Sequence, residues 1–343
     1  MVNRMMKVAL LVKPHDLQIV ERPMPQLSDE NSVLIKVHAM GICGSDVHAY
    51  HGKLATVSYP RVIGHEVVGE AIEVGASVTN IKPGDHVVMD PVVSCGMCPA
   101  CQAGRKNVCK EVKCMGVAAE GGCAEYIILS QENVLPFPKE IPWKDAVVIE
   151  PYTIGAQVVA RGEVEKDDIV LVMGAGPIGL VILQAAKRLG AKVIVSDLIE
   201  SRLKLALEMG ADVAINSSKQ NITAIVNDFT NGYGVNVAVD AVGVPALFEQ
   251  ALDLTAPAGR IVIIGFNPTP AQIGELLITR KELDIRGSRM HANKFPEVIQ
   301  WVANKEVLTK QLVSHEFSFE NIVEAFTLLE ESPETTCKVI VTF

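Results

Sequence analysis

The chain has 343 residues, 49% of them hydrophobic and 21% charged, an ordinary globular balance. One hydrophobic core stops growing below this length, so two domains are expected. A net charge of −9 argues against a nucleic-acid partner, which needs a basic face, and no apolar run approaches membrane-spanning length; neither a nucleic acid nor a membrane is an expected partner.

In chain order, residues 1–150 read as β structure. KVALLV, LQIVE, SVLIKVHAM, VVGEAIEVG and HVVMD are short strand-like runs separated by Pro, Gly, Asn and Asp. The stretch from Met1 to Val12 is too short for an export signal and reads as a strand, which predicts a cytoplasmic protein. From residue 169 the texture changes. IVLVMGAG reads as a strand and PIGLVILQAAKRLG as a helix, followed by the strand KVIVSD and the helix IESRLKLALEMG. VAIN, NITAIVNDF, VNVAVDAVG, PALFEQALDLTA and GRIVIIGF repeat the alternation, and LDIRGS completes it. Apolar strands alternating with helices predict an α/β fold with a doubly wound parallel sheet. After Met290, PEVIQWVANK and FENIVEAFTLLEE read as helices and CKVIVTF as a last strand. This tail does not extend the alternation and is expected to rejoin the N-terminal part. The expected domains are 1–152 completed by 290–343, and 153–289.

Eight cysteines without an export signal point to thiols or metal ligands, not disulfides. Cys95, Cys98, Cys101 and Cys109 stand in SCGMCPACQAGRKNVC, spaced C-x2-C-x2-C-x7-C. Two residues between thiols let neighbouring sulfurs meet one tetrahedral metal, with Gly96 and Pro99 shaping the turns. Four thiolates with no open position are the pattern of structural zinc. An iron–sulfur cluster is the rival, but the bacterial ferredoxin run closes with a three-residue gap followed by proline.

Cys43 in GICGSDVH, His65 and Glu66 in GHEVVGE, and Glu150 in VVIEPYTIG make a second set. One sulfur, one imidazole and one or two carboxylates suit zinc with a free coordination position. Singly, each is more often structural: a lone Cys is usually a small buried hydrophobe. Their weight comes from occurring together, upstream of a dinucleotide motif.

That motif is Gly174-Ala-Gly176-Pro177-Ile178-Gly179, directly after a strand and before a helix. Gly174 allows the tight turn, Gly176 lets a pyrophosphate approach, and Gly179 permits close helix–strand packing. The helix N-terminus, opening at Pro177 and Ile178, supplies amides and partial positive charge for phosphates. Asp197 ends the next strand, where an acid binds ribose hydroxyls and repels a 2′-phosphate, so NAD is favoured. Arg202 nearby suits either stacking on adenine or acceptance of NADP.

GICGSDVHAYHG, PRVIGHEVVGEAIEVG, the four-cysteine loop, the IEP segment and VMGAGPIGL together resemble the zinc-containing medium-chain dehydrogenases, over nearly the whole chain. The likeness is greatest to bacterial polyol and hexonate dehydrogenases of the sorbitol, L-idonate, L-galactonate and L-gulonate 5-dehydrogenase type. It implies a β-rich GroES-like catalytic domain beside a Rossmann domain, two zinc ions per chain, NAD, and a homodimer or homotetramer. It implies that Cys43 and His65 ligate the catalytic zinc, with Glu66 and Glu150 both open as the carboxylate ligand. Asp46 is then expected to accept a hydrogen bond from His65, unless it is only a helix cap. Ser45 and His48 match the proton-relay positions. Val242, Gly243, Gly265, Phe266, Ser288 and Arg289 are expected to line the cofactor cleft. The implied reaction is oxidation of a secondary hydroxyl of a polyol or sugar acid, with hydride passed to NAD. The sorbitol enzymes carry an Arg–Tyr pair where GSRMHANKFP has Met290 and His291, so a carboxylate-bearing substrate met by Arg289, His291, Asn293 or Lys294 is expected instead. A simple-alcohol dehydrogenase is the rival enzyme reading; a non-catalytic protein binding zinc and NAD as a regulatory signal is the rival class.

Overall fold

The computed structural model describes residues 4–343. The chain divides into two compact units: Met1–Glu150 with Phe295–Lys305 and Leu312–Phe343, and Pro151–Lys294 with Glu306–Gln311.

The first unit is built on two main sheets, with a two-stranded ribbon of Val92–Val93 and Lys113–Cys114 beside them. In the smaller, β1 (Met5–Lys13) forms a hairpin with β2 (Asp16–Pro23). After β3 (Ser32–Ile42) and the short helix α1 (Gly44–Tyr50), β4 (Arg61–Val62) returns to pair with β1. The larger sheet adds β5 (Glu66–Val74), β6 (His86–Met89), β7 (Tyr126–Ser130) and β8 (Val134–Pro136). β3 is its axis: β5 runs antiparallel along one side, while the other side is shared by β7 and the chain's last strand. Pairing on both sides explains why β3 is buried along nearly all its length. Val33, Ile35, Val37, Met40, Val67 and Val87 pack into one core with it.

The helix α2 (Ile149–Arg161) leads into the second unit, where strands and helices alternate. They are β9 (Ile169–Met173), α3 (Pro177–Arg188), β10 (Lys192–Asp197), α4 (Glu200–Glu208), β11 (Val213–Asn216) and α5 (Ile222–Phe229). β12 (Val235–Asp240), α6 (Pro245–Leu254), β13 (Thr255–Ile263), α7 (Glu275–Lys281) and β14 (Asp284–Gly287) follow. All strands are parallel, in the order β11-β10-β9-β12-β13-β14. The order reverses between β9 and its neighbours, so the turns after β9 and β12 open at the switch point where such sheets bind ligands. β14 is an edge strand.

The chain then forms α8 (Phe295–Ala303), β15 (Val313–Ser318), α9 (Ile322–Glu331) and β16 (Lys338–Thr342). β16 pairs with β3, and β15 joins β16 in parallel at the sheet edge. The sequence signals neither β15 nor α2. VSHEFS alternates half-buried and exposed residues without an apolar face, as an edge strand can. α2 carries Pro151 in its first turn and Gly155 midway; a side chain on Gly155 would lie 2.6 Å from the Val181 carbonyl of α3, so the glycine serves helix packing. Among the described residues, no helix is long and apolar enough to cross a membrane.

Candidate metal and dinucleotide sites

The four cysteines of the loop fold back on themselves. Cys98 caps a short helix over Pro99–Gln102, and Gly96 takes φ +71° to turn the chain before it. The Cys95 and Cys109 sulfurs are 3.4 Å apart and those of Cys98 and Cys101 3.6 Å apart. A disulfide needs about 2 Å; a tetrahedral zinc with bonds of about 2.3 Å sets sulfurs roughly 3.8 Å apart. Backbone amides aim at the sulfurs: Cys95 N–H donates to Cys109 Sγ, and Cys98 N–H to Cys95 Sγ, at 3.4 Å each. The amides of Cys101 and Lys110 draw the Cys98 thiol down to about 6, whereas desolvation and its sulfur neighbours push Cys101 up to about 11. Thiols this close cannot all ionise without a cation among them. The residues fit a bound zinc.

The second cluster is assembled from distant segments. Cys43 sits at the N-cap of α1, and its N–H donates to Asp46 Oδ2 at 2.9 Å. Asp46 Oδ1 accepts from Gly64 N–H at 3.1 Å, so one buried carboxylate ties the Cys43 turn to the turn before His65. The expected hydrogen bond from His65 does not form: its Nδ1 lies 3.8 Å from Asp46 Oδ1, beyond hydrogen-bond length, because the carboxylate is already turned to two amides. Ligand atoms of Cys43, His65 and Glu66 lie within 4.8 Å of one another. His65 Nδ1 and Glu66 Oε2 are buried without a hydrogen-bond partner. Orphaned buried polar atoms are costly, and a cation among them removes that cost. Here too the residues fit a metal ion.

The register of β3 and β5 sets Gly41 opposite Glu66, and a side chain on Gly41 would stand 2.0 Å from Glu66 Oε2. The glycine leaves room for the carboxylate to fold over the sheet. Glu66 Oε1 accepts from Lys338 Nζ at 2.6 Å, and Nζ also donates to the Ile42 carbonyl at 3.2 Å. Lys338 is only 2% exposed. Burial alone would lower its pKa; Glu66 and Cys43 outweigh that and hold the ammonium charged, above its ordinary range. His65 is likewise shifted upward, with Asp46 and Cys43 overcoming burial.

Sequence reasoning missed Lys338. Its one signal is a charged residue opening the otherwise apolar strand KVIVTF. Cys114 was missed too; its thiol, pushed up to about 11 by burial, feels the charges of His65, Glu150 and Cys43. Glu150, buried in the first turn of α2, stands outside the 4.8 Å set. It still senses His65, Glu66 and Lys338, and burial pushes its carboxyl up to about 8. Ser45 is half-buried, two residues after Cys43, and His48 is exposed on the last turn of α1.

In the second unit, Gly174 has φ +106°, and a side chain there would meet Val242 at 2.7 Å. Gly179 would place one 1.9 Å from the Gly174 carbonyl, so α3 packs directly on the turn. Gly176 caps α3 and faces open space, leaving its backbone approachable, with Pro177 and Ile178 opening the helix. Asp197 ends β10 and accepts from Ala175 N–H at 2.7 Å, which bridges the glycine turn to the next strand. It also accepts from Leu198 and Ile199 amides. Arg202 lies half-buried in the first turn of α4.

Gly243 and Gly265 bring the turns after β12 and β13 into contact; a side chain on Gly265 would stand 2.1 Å from the Gly243 nitrogen. Val242 and Phe266 are exposed beside them. Ser288 is buried, its N–H bonded to the Ile263 carbonyl, and Arg289 is exposed. Met290 and Asn293 take positive φ, His291 between them is fully buried, and Lys294 is half-buried.

A zinc-binding dehydrogenase model matches residues 177–304, and an alcohol dehydrogenase GroES-like domain model matches residues 29–139. The starvation-sensing protein RspB of Escherichia coli K12 is 42% identical over 98% of this chain and 99% of its own. The chain belongs to the zinc-type alcohol dehydrogenase family. A crystal structure of RspB from E. coli CFT073 with the cofactor NADH superimposes with a TM-score of 0.94 at 41% identity, covering 99% of each chain. Sorbitol dehydrogenase of Bacillus subtilis is 36% identical, covering 98% of this chain and 97% of its own. L-galactonate-5-dehydrogenase of E. coli K12 is 31% identical, covering 98% and 99%. The protein is thus a dehydrogenase with a GroES-like domain and a Rossmann domain, using zinc and a nicotinamide dinucleotide.

Proposed function

We propose that this dehydrogenase oxidises a secondary hydroxyl of a polyol or sugar acid with NAD, and that its preferred substrates are hexonates such as L-gulonate, L-idonate or L-galactonate, oxidised at C5. The observation that carries this is the donor set around Cys43: one thiol and one imidazole with the Glu66 carboxylate in place of a second thiol, and the buried Glu150 carboxylate nearby, outside that group. Such an oxygen-rich set suits a polyhydroxy substrate that binds through neighbouring oxygens.

Cys43, His65 and Glu66 would hold one zinc, with Glu150 near enough to exchange with Glu66, and Cys95, Cys98, Cys101 and Cys109 would hold a structural second. When bound, the first zinc supplies Lewis-acid polarisation of the substrate hydroxyl, while NAD takes the hydride. Ser45 receives the hydroxyl proton, and exposed His48 passes it to water. Asp46 fixes the Cys43 and His65 turns by their backbones, and Lys338 holds Glu66 at one oxygen while leaving the other free. Gly174, Gly176 and Gly179 let the pyrophosphate approach α3 at Pro177 and Ile178, Arg202 stacks on the adenine, and Val242, Gly243, Gly265, Phe266 and Ser288 line the nicotinamide side. Arg289 and Lys294 are the cations that meet a substrate carboxylate. The open edge of β14 is paired across a two-fold axis in a dimer or a tetramer of dimers.

Steady-state NADH formation over hexonates, hexitols and short alcohols tests the substrate. Hexonates are expected to show the highest kcat/KM, with sorbitol weaker. Efficient turnover of short primary alcohols with hexonates and hexitols inert overturns the proposal. Asp197→Ser is expected to narrow the preference for NAD over NADP by removing like-charge repulsion of the 2′-phosphate.

A further inference from the structure

A third group of metal-type ligands lies in the first unit, on side chains that the dehydrogenase chemistry does not use. His15, His51 and Glu330 each offer one ligand atom, and these lie within 4.8 Å of one another, the same limit that the Cys43 cluster and the four-cysteine loop meet. We propose that they form a peripheral site for a divalent cation of the zinc, nickel or copper class.

The three residues come from three elements whose backbones are fixed without help from the ligands. His15 sits in the turn between β1 and β2 with φ +61°, and its N–H donates to the Tyr50 carbonyl at 2.8 Å. His51 closes α1, its N–H bonded to the Val47 carbonyl at 3.0 Å. The next residue, Gly52, has φ +70° and approaches Pro14 so closely that a side chain would stand 2.9 Å from the proline ring. Tyr50 packs on buried Phe326 with ring centroids 5.2 Å apart, which seats α1 on α9, the helix whose last turn carries Glu330. The hairpin turn, the end of α1 and the end of α9 therefore meet through contacts of their own, and the two imidazoles and the carboxylate project from that junction.

The local chemistry favours an ion. His51 Nε2 already lies 2.7 Å from Glu330 Oε1. The His15 and His51 rings meet edge to face, centroids 4.8 Å apart at 72°. That arrangement does not stack the rings, so their nitrogens can converge on one point. A tetrahedral zinc holds nitrogen and oxygen ligands at about 2.0–2.2 Å and thus roughly 3.4 Å from one another. The close His51–Glu330 pair opens and the wider pairs close by rotation of side chains that are exposed or half-buried. Two imidazoles and one carboxylate suit zinc, nickel and copper and disfavour calcium and magnesium. Water completes the coordination. Both α1 and α9 end here, so their last carbonyls add partial negative charge.

This site stands whether or not the cluster at Cys43 binds zinc. A cation here clamps the far end of the helix that begins at Cys43, so its expected effect is reversible stabilisation of the β-rich unit. The competing account is a plain His51–Glu330 ion pair.

The test uses Ni²⁺, counted separately from zinc retained by the purified protein, in equilibrium dialysis with elemental analysis. The expected result is one saturable nickel per chain with the zinc content unchanged, and a melting temperature that rises with nickel. His51→Gln and Glu330→Gln should each weaken nickel binding by about tenfold or more and remove the thermal shift, since each deletes one of three ligands. His15→Gln should do the same, although it leaves the ion pair intact. Nickel binding of equal affinity in wild type and all three variants overturns the proposal, as does a wild type that binds no nickel at sub-millimolar concentration. Loss of nickel binding in His51→Gln and Glu330→Gln but not in His15→Gln also overturns it, leaving the ion pair with a chance affinity.

Discussion

The four-cysteine loop and the cluster at Cys43 belong to one unit and are built in opposite ways. The loop takes all its ligands from residues 95–109, and its sulfurs are held by amides of the same segment. Its geometry is local. The Cys43 cluster takes Cys43 from a helix cap, His65 from the turn before β5, Glu66 from the first position of β5, and Lys338 from the last strand. Asp46 and Lys338 brace it from either side. A local set of four thiols is closed and suits a load of folding energy; a long-range set with an unpartnered carboxylate oxygen is open and suits exchange with a substrate.

The largest expected difference between the two comes from deleting one sulfur of each. Cys98→Ala should release one zinc and lower the melting temperature by about 10 °C or more, because metal binding there is also folding energy. Cys43→Ala should keep the fold and cut turnover by about 10³-fold or more, the loss of a polarising cation being worth several kcal/mol. Zinc content, melting curves and turnover on both variants check this; full activity with a single zinc per chain would erase the distinction.

Lys338→Met probes the long-range brace. In protein stripped of the metal at Cys43, it strands Glu66 in the interior with an uncompensated charge, at an expected cost of about 3–5 kcal/mol in denaturant unfolding. Adding Glu66→Gln should recover part of that loss, since the two residues act as a pair. If the double variant is less stable than Lys338→Met alone, the pairing is not what holds Lys338 in place.

Mild chelation should separate the clusters without mutation. Activity is expected to vanish while one zinc per chain and the melting curve persist, because four thiolates enclose their ion and the open set does not. Parallel loss of both zincs would argue that the clusters are equally labile. The smallest effect is expected from Asp46→Asn, which keeps the shape but weakens one of two amide contacts. Metal retention at the open site should fall by about 10- to 100-fold with little change in melting temperature.

The sequence was most readable where function is local. Spacing alone marked the four cysteines, and strand–glycine turn–helix order marked Gly174, Gly176 and Gly179; Gly174 and Gly179 have no room for a side chain, while Gly176 faces open space. It was least readable where partners come from far away. Asp46 was expected to bond the His65 ring or to serve as a helix cap; it caps α1 through the Cys43 amide and also accepts from the Gly64 amide, which the sequence did not signal. Between Glu66 and Glu150 the sequence offered no ranking; the pairing of β3 with β5 brings Glu66 within 4.8 Å of Cys43 and His65, while Glu150, on α2, stands outside that group.

Hydrophobic period, glycine placement and cysteine spacing, all properties of neighbouring residues, pointed by themselves to a β-rich part before a parallel βα array, to a cluster of four thiols and to a dinucleotide turn. Only the tertiary structure decided that the strand opening with Lys338 lies against β3, since a strand's partner depends on pairing across hundreds of residues and not on its own pattern. It alone brought His15, His51 and Glu330 together, for the same reason: three polar residues on a turn and two helix ends carry no periodic signal, and their meeting is set by the packing of Tyr50 on Phe326 beneath them.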